Sequence, residues 1–569
     1  MAGSSSNTFS LYSGDESGEA GDNPLSGAVD ELASSGTLAA ALFFTYSFDL
    51  PLFKRKFPML LESAIPCLIV HGDKCVGEPT KEDGSAYQGS GNWTLRRTVR
   101  ATCAYRKIRK RKRGGQSYDS DSDSDSASGT KSCTCCANFR QWTCKANPEW
   151  ISVAKIFQGK GSVHHSKGAL LFTCAAESVD AGGIRVPRER RITGLRVVIM
   201  TGNMTPKRTG GILNGAWHQD FALKTSHSAQ AGSDFEDVIA NYFHRLEQAA
   251  AGSDGFSFSP LASFFSRMRS SSGQAFQSAL DTLGSFDFAG ASVSLIASIP
   301  GTYPASCSEY GHKRVRKCLE AANTQSRWTD RDSIAIHMTS LGMGLDGTYY
   351  FGEFLPSLKG SSSPQDVVIW PTNAFVKETG KPACHFASAG AWQDMGMDGM
   401  LSRSFHMYDS PSKMLAHMKV YARVIGGDGD HLQLGWLWLT SANLSRGAQG
   451  FIDERGDFAV RNWELGVLFV PKGNSRLFAA KPSGLMSSGS SCNIENSDTF
   501  FPVPFHLAPA PFRDPGGSWP RERKPYVSNG SLFGNRSDAA PRGSLPWDDD
   551  SDNSSDDGDG FGFVVVEGV

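Results

Sequence analysis

The sequence lacks any apolar run long enough to span a bilayer. The stretch Leu38 to Phe44 is far too short, so no membrane partner is expected. It also lacks a charge excess: 57 Lys and Arg stand against 58 Asp and Glu, for a formal net charge of −1. A generic polyanion binder is therefore excluded, and local charge must carry any nucleic-acid contact. The twelve cysteines show no regular framework spacing, and Met1-Ala2-Gly3-Ser4-Ser5-Ser6 shows no secretory pattern. A reducing intracellular compartment is the expectation. No carboxylate-rich motif for magnesium occurs, so neither a metal nor another cofactor is expected.

What is present, in 569 residues with room for two or more domains, is a short pattern used twice. Val163-His164-His165-Ser166-Lys167-Gly168 and Leu415-Ala416-His417-Met418-Lys419-Val420 each put a histidine two residues before a lysine. On a strand the two side chains of each pair share a face. An apolar strand follows each: Leu195 to Met200 running into Thr201-Gly202-Asn203, and Trp436 to Leu439 running into Thr440-Ser441-Ala442-Asn443. The repetition predicts two similar lobes meeting at one site.

In chain order, residues 1 to 35 are Ser/Gly/Asp-rich and are expected to be disordered. Residues 36–262 form the expected first lobe and 263–527 the second, with an acidic disordered tail over 528–569. An insertion at 77–147 holds the basic run Arg106 to Arg113 and a Ser/Asp repeat from Asp119 to Ser126, and is expected to be a solvated loop. The basic run fits nuclear import, an extra nucleic-acid contact, or a charged tail with no reader. The repeat offers acid-flanked phosphorylation sites. Cys133, Cys135, Cys136 and Cys144 cluster there, in a spacing that matches no standard zinc pattern. Phe235, Val238, Ile239, Tyr242, Phe243 and Leu246 fall at helical spacing, which predicts a core-packing helix. The Ser-rich Gly252 to Gly273 reads as a bridge between lobes. Ser292 to Ala297, Ser333 to Met338 and Val367 to Pro371 read as strands, and their alternation with helical stretches argues for α/β sandwiches.

Two histidines, two lysines and two asparagines suit a phosphodiester. Lysines and asparagines hold the anionic oxygens and offset charge in the transition state. One neutral histidine attacks phosphorus. The other protonates the leaving oxygen and then activates water. One His-x-Lys alone means little; two, each followed by a strand ending in asparagine, point to a site. His164, His71 and His312 read as ordinary structural histidines.

These residues carry a resemblance. His165-x-Lys167 with Asn203, and His417-x-Lys419 with Asn443, resemble the paired signatures of the phospholipase D superfamily. Phe172 and Val424 stand where that signature has aspartates, which is the mark of its tyrosyl-DNA phosphodiesterase branch. Val70-His71-Gly72-Asp73-Lys74, Ser298-Ile299-Pro300-Gly301, Trp463-Glu464-Leu465-Gly466 and Phe501-Pro502-Val503-Pro504-Phe505 are similar to that branch as well. The resemblance implies an α/β fold of two phospholipase D-like α/β/α sandwich lobes related by a pseudo-two-fold axis. It implies a metal-independent DNA-repair phosphodiesterase acting on 3′-phosphotyrosyl and other 3′-blocking adducts through a phosphohistidine. In this reading His165 is the nucleophile and His417 the acid and base. Lys167, Lys419, Asn203 and Asn443 bind phosphate, and Glu464 orients a catalytic histidine. Thr339, Ser340 and Ser445 contact DNA or the scissile phosphate; Ser445 equally suits a helix cap. Asn214, or alternatively Gln219, takes the place of the family glutamine that orients the second histidine. Gly161 and Met343 replace a stacking aromatic and a DNA-contact serine of the family. Candidate groove cations are Arg196, Lys313, Arg314 and Arg446. The implied partners are single- and double-stranded DNA 3′ ends carrying tyrosyl peptide from trapped topoisomerase, met by a nuclear monomer, with an organellar pool left open. Another nuclease or phospholipase of the superfamily, or a silent DNA-binding scaffold, are the alternatives.

Overall fold

The computed structural model describes residues 7–13, 24–47, 53, 56, 57, 60, 65–72, 93–100, 138–144, 150–154, 163–175, 191–204, 212–225, 232–251, 260–270, 272–322, 328–341, 345–379, 404–410, 413–428, 431–472, 475–480, 491–494 and 498–511. The first half of the chain gives β1 (Asn7–Ser13), helix Pro24–Ser34, β2 (Leu38–Thr45), β3 (Cys67–His71), β4 (Trp93–Arg100), β5 (Asn138–Cys144), β6 (Trp150–Ala154), β7 (Gly168–Cys174), β8 (Ile192–Met200), β9 (Leu213–Ala222) and helix Asp234–Ala251. The second half gives β10 (Ser294–Ser298), β11 (Gly301–Tyr303), helix Gly311–Ala321, β12 (Ser333–His337), β13 (Gln365–Trp370), β14 (Phe405–Met407), β15 (Lys419–Asp428), β16 (His431–Thr440), β17 (Phe451–Ile452), β18 (Phe458–Val460), β19 (Glu464–Phe469), β20 (Leu477–Ala480), β21 (Ser491–Asn493) and β22 (Thr499–Phe501).

The strands form two large mixed sheets. The first has the order β21-β1-β9-β8-β7-β2-β3-β6-β5-β4, and the second β10-β19-β16-β15-β12-β13-β14 with β20 and β22 attached to β16. Within them, β1-β9-β8-β7-β2-β3-β6 corresponds strand for strand to β10-β19-β16-β15-β12-β13-β14. In both runs the first four pairings are antiparallel and the last two parallel. The repeat inferred from His-x-Lys is thus a repeat of topology. The fold is α/β, with two similar lobes.

β2 shows why the first sheet is covered on both faces. Its residues are all buried, and its side chains alternate between two cores. Ala40, Leu42 and Phe44 enter the main core, where Phe44 meets Phe243 of helix Asp234–Ala251 with ring centroids 5.6 Å apart. Ala41 and Phe43 enter a second core under Leu25 and Val29 of helix Pro24–Ser34 and under Phe53 and Phe57. The apolar stripe read at helical spacing from Phe235 to Leu246 is buried along its length. Its Tyr242 packs edge-on against Trp463, just before β19, at 5.3 Å. One helix therefore touches both halves of the molecule.

Three expectations are corrected. The stretch 1–35 is not wholly disordered. β1 pairs with β9 and with β21, and Phe9 and Leu11 are fully buried. Its alternation is visible in Asn-Thr-Phe-Ser-Leu-Tyr-Ser but is diluted by serine-rich surroundings, so composition hid a strand of the repeat. The stretch Gly252 to Gly273 is more than a polar bridge: helix Pro260–Phe265 buries Leu261, Phe264 and Phe265. Within 77–147, β4 and β5 pair with each other, and β5 with β6, extending the first sheet. The basic run, the Ser/Asp repeat, Cys133, Cys135, Cys136, Gly161, Met343 and the tail after 511 lie outside the described residues.

The positions where related signatures carry aspartates belong to the core. Phe172 is fully buried, with its ring about 6 Å from Phe264, Phe265 and Phe286. Val424 is buried on β15. A carboxylate at either place would be desolvated without a designed partner.

Candidate active site

Each histidine sits just ahead of a strand, not on it. β7 begins at Gly168 and β15 at Lys419. The preceding segments are extended, and each is clamped by main-chain hydrogen bonds to the other lobe. His165 N donates to Trp463 O at 2.9 Å, and Trp463 N to Val163 O at 2.8 Å. In the second half His417 N donates to Leu213 O at 2.7 Å, and Leu213 N to Leu415 O at 2.9 Å. Trp463 precedes β19 and Leu213 opens β9, which are equivalent strands in the repeat. The clamp is therefore pseudo-symmetric, and each histidine is held by the lobe it does not come from.

The side chains extend this wiring. His165 Nδ1 donates to Glu464 Oε2 at 2.9 Å. The same oxygen accepts Ser441 Oγ–H at 2.5 Å. His417 Nδ1 donates to the main-chain oxygen of Thr201 at 3.0 Å. A carboxylate and a carbonyl only accept, so both rings carry their proton on Nδ1 and present the Nε2 lone pair. Lys167 Nζ donates to His165 O at 2.5 Å, and Lys419 Nζ to His417 O at 3.1 Å and His417 Nε2 at 3.0 Å. Both ammonium groups are fully buried, while His165, His417, Asn203 and Asn443 keep 5–8% of their surface. Buried cations are costly to desolvate, so an anion reaching this place would be strongly favoured.

Two links bring the half-sites together. Thr201, which holds His417, follows Met200, whose N–H donates to Lys167 O at 3.0 Å. Ser441, which reaches Glu464 and so His165, follows Thr440, the cross-strand partner of Lys419. At the contact between the sheets Gly215 packs closely on side-chain ends: a Cβ there would lie 2.8 Å from Met418 Cε, which would have to shift.

Burial alone would push the Glu464 carboxyl up. The positive charge that His165 takes on when protonated, the donors from His165 and Ser441, and the Lys167 ammonium more than offset that, and it lies below its ordinary range. His164, behind the site, is held neutral by burial, down to about 3.

The asparagines differ. Asn443 Oδ1 accepts from Thr339 N, Thr339 Oγ1 and Ser340 N at 3.2–3.3 Å, which turns its Nδ2 donors the other way. The main-chain amides of Thr339 and Ser340 are thus engaged by Asn443. Asn203 Oδ1 is buried with no partner among the described residues. Ser445 Oγ accepts Ala448 N–H and caps the short helix Arg446–Gln449, at 5% exposure.

Neither candidate for orienting His417 does so through its side chain. Gln219 bonds Gly290 O and the Ser292 main chain. Asn214 is fully buried, accepts Thr201 Oγ1–H at 3.3 Å and donates to Ile212 O at 3.2 Å. It occupies the place equivalent to Glu464 but is one methylene shorter, and the Thr201 carbonyl takes the imidazole instead. Arg196 and Arg314, candidate groove cations, are instead buried in ion pairs: Arg196 with Asp220 and Glu31, Arg314 with Asp234 and Glu309. Lys313 lies over the Phe458 ring and Arg446 over the Phe451 ring, each at 4.4 Å.

Sequence reasoning missed two aromatics. Tyr46 packs edge-on against His165 at 5.3 Å, with Lys167 Nζ 5.8 Å from its centroid. Tyr12 Oη accepts Gly202 N–H at 3.1 Å, fixing the turn before Asn203. Tyr12 was hidden by the reading of its segment as disordered; nothing in the sequence near Tyr46 marks it.

A family model described as tyrosyl-DNA phosphodiesterase matches residues 188–513, more than half of the chain. The match takes in Asn203, His417, Lys419, Asn443 and Glu464; His165 and Lys167 lie ahead of it. A curated protein named tyrosyl-DNA phosphodiesterase 1 from Arabidopsis thaliana is 26% identical over 298 residues, covering 49% of this chain and 45% of that protein. The chain thus spans about half the length of the curated relative it matches. A crystal structure of a yeast tyrosyl-DNA phosphodiesterase overlays with a TM-score of 0.48 at 12% identity, covering 83% of this chain and 92% of that one. With the family match spanning more than half of its length, the chain belongs to the tyrosyl-DNA phosphodiesterase family.

Proposed function

We propose that the protein hydrolyses 3′-phosphotyrosyl bonds, and other 3′-blocking phosphodiesters of DNA, without a metal, in DNA repair. The observation that carries this is the equivalence of the two His-x-Lys segments in a repeated topology, each histidine wired by Nδ1 into the opposite lobe. His165 Nε2 attacks phosphorus, and the positive charge that grows on its ring is stabilised by Glu464. Lys167, Lys419, Asn203 and Asn443 hold the phosphoryl oxygens. For the first step His417 carries a second proton on Nε2 and gives it to the tyrosine oxygen as the P–O bond breaks. It then takes a proton from water, whose oxygen attacks phosphorus while the P–N bond to His165 breaks.

Ser445 and Ser340 carry the hydroxyls that meet the DNA strand in this reading. Asn214 acts behind Thr201, not on substrate. Action in the nucleus is the reading that the basic run at Arg106 to Arg113 and a DNA substrate support, and a monomer is the state taken with it.

The test is turnover in excess EDTA on a 3′-phosphotyrosyl oligonucleotide and, separately, on phospholipid vesicles. Tyrosine release from the first supports the proposal. Lipid cleavage or internal DNA cleavage would favour another branch of the superfamily, and no turnover on either would leave a binding scaffold.

A further inference from the structure

We propose that Ser441 is a positioning residue for His165, acting through Glu464; this rests on the reading of His165 as the nucleophile. Ser441 is fully buried, and three contacts leave its hydroxyl one orientation. Ser441 N donates to Leu465 O at 3.0 Å, and Leu465 N donates to Ser441 Oγ at 3.1 Å. The remaining hydroxyl proton goes to Glu464 Oε2 at 2.5 Å, the oxygen that holds His165. Glu464 Oε1 is buried with no partner among the described residues, so Ser441 supplies one of two donors to a buried carboxylate.

The second lobe repeats the device with different chemistry. Thr201 N donates to Gly215 O at 3.0 Å, Gly215 N to Thr201 Oγ1 at 3.1 Å, and Thr201 Oγ1 to Asn214 Oδ1 at 3.3 Å. The anchored hydroxyl occurs in both lobes although its partner is a carboxylate in one and an amide in the other. In the first lobe its proton draws charge from Oε2, which weakens the pull on the imidazole N–H. His165 thereby stays neutral, and nucleophilic, to lower pH.

The experiment is the pH profile of kcat/KM on a 3′-phosphotyrosyl oligonucleotide, paired with NMR titration of the His165 ring in the substrate-free protein. In Ser441→Ala the acid limb and the ring titration both move to higher pH, by roughly one unit. Ser441→Thr, which keeps the hydroxyl and copies the other lobe, restores both. In a Glu464→Gln background Ser441→Ala adds less than about threefold, since the two act as a unit. If alanine unfolds the protein, Ser441→Cys keeps the shape with a weak donor and gives the same upward shift. An unmoved limb and ring titration in the folded variants, or an undiminished Ser441→Ala effect beside Glu464→Gln, would overturn the proposal. Should the wild type fail to turn over, the functional reading fails, and the ring titration still decides the role of Ser441.

Discussion

Replacing Glu464 by glutamine removes a charge while keeping a shape. The amide oxygen accepts the His165 and Ser441 donors that the carboxylate accepts at 2.9 and 2.5 Å, so the Nδ1–H tautomer survives. What disappears is the attraction between a carboxylate 2% exposed and the positive charge that grows on the imidazole during attack. A hydrogen bond to a charged group is worth about 1.5–3 kcal/mol, and the direct Coulomb term at an effective dielectric near 20 is about 4 kcal/mol for charge centres about 4 Å apart. The barrier to the first step should therefore rise by about 1.5–4 kcal/mol, a slowing of roughly ten- to several-hundredfold. The assay is single-turnover formation of the protein–DNA adduct on a 3′-phosphotyrosyl oligonucleotide, with oligonucleotide affinity measured separately. Adduct formation should slow while affinity holds. A slowing under about threefold, or a loss confined to affinity, would refute the assignment of Glu464 to the nucleophile's side of the site.

Other consequences are as direct. His165→Ala should abolish adduct formation, and a labelled adduct surviving it would move the nucleophile elsewhere. His417→Ala should form the adduct from a substrate with a good leaving group and then fail to clear it; rapid complete turnover would contradict its role. Gly168→Ala would put a Cβ 2.1 Å from Val198 O and 2.7 Å from Phe44 Cζ, right after Lys167. It should cost about 1–3 kcal/mol or more in urea unfolding, and an unchanged midpoint would show that β7 and β8 can part cheaply. Burial holds His164 and His312 neutral down to about 3, and His337 down to about 4, whereas unfolded histidine titrates near 6.5. The unfolded chain then binds more protons below that value. Stability is full above about pH 6.5 and should fall by up to about 1.4 kcal/mol per unit for each histidine on acidification. Glu464, held below its ordinary value, adds a further loss once pH falls below about 4.5. A urea midpoint equal at neutral and mildly acid pH would contradict this.

Much of the molecule is local information. The His-x-Lys pairs, the strands that run toward Asn203 and Asn443, and the stripe from Phe235 to Leu246 are all set by spacing along the chain, because side-chain direction repeats every two or 3.6 residues. The chain alone therefore determined that two lobes exist and which imidazoles they offer. Composition misled where it outweighed alternation, as at Phe9 and Leu11.

What holds each imidazole was decided in three dimensions. Glu464 is 299 residues from His165, and Thr201 is 216 from His417. Nothing local ties such positions, since only the packing of one sheet against the other brings them within hydrogen-bond reach. The choice of a main-chain carbonyl over Asn214 turns on one methylene. The diversion of the Thr339 and Ser340 amides to Asn443 turns on three donors meeting one oxygen. Positioning this fine is set by the assembled core, and no pattern of residue types encodes it.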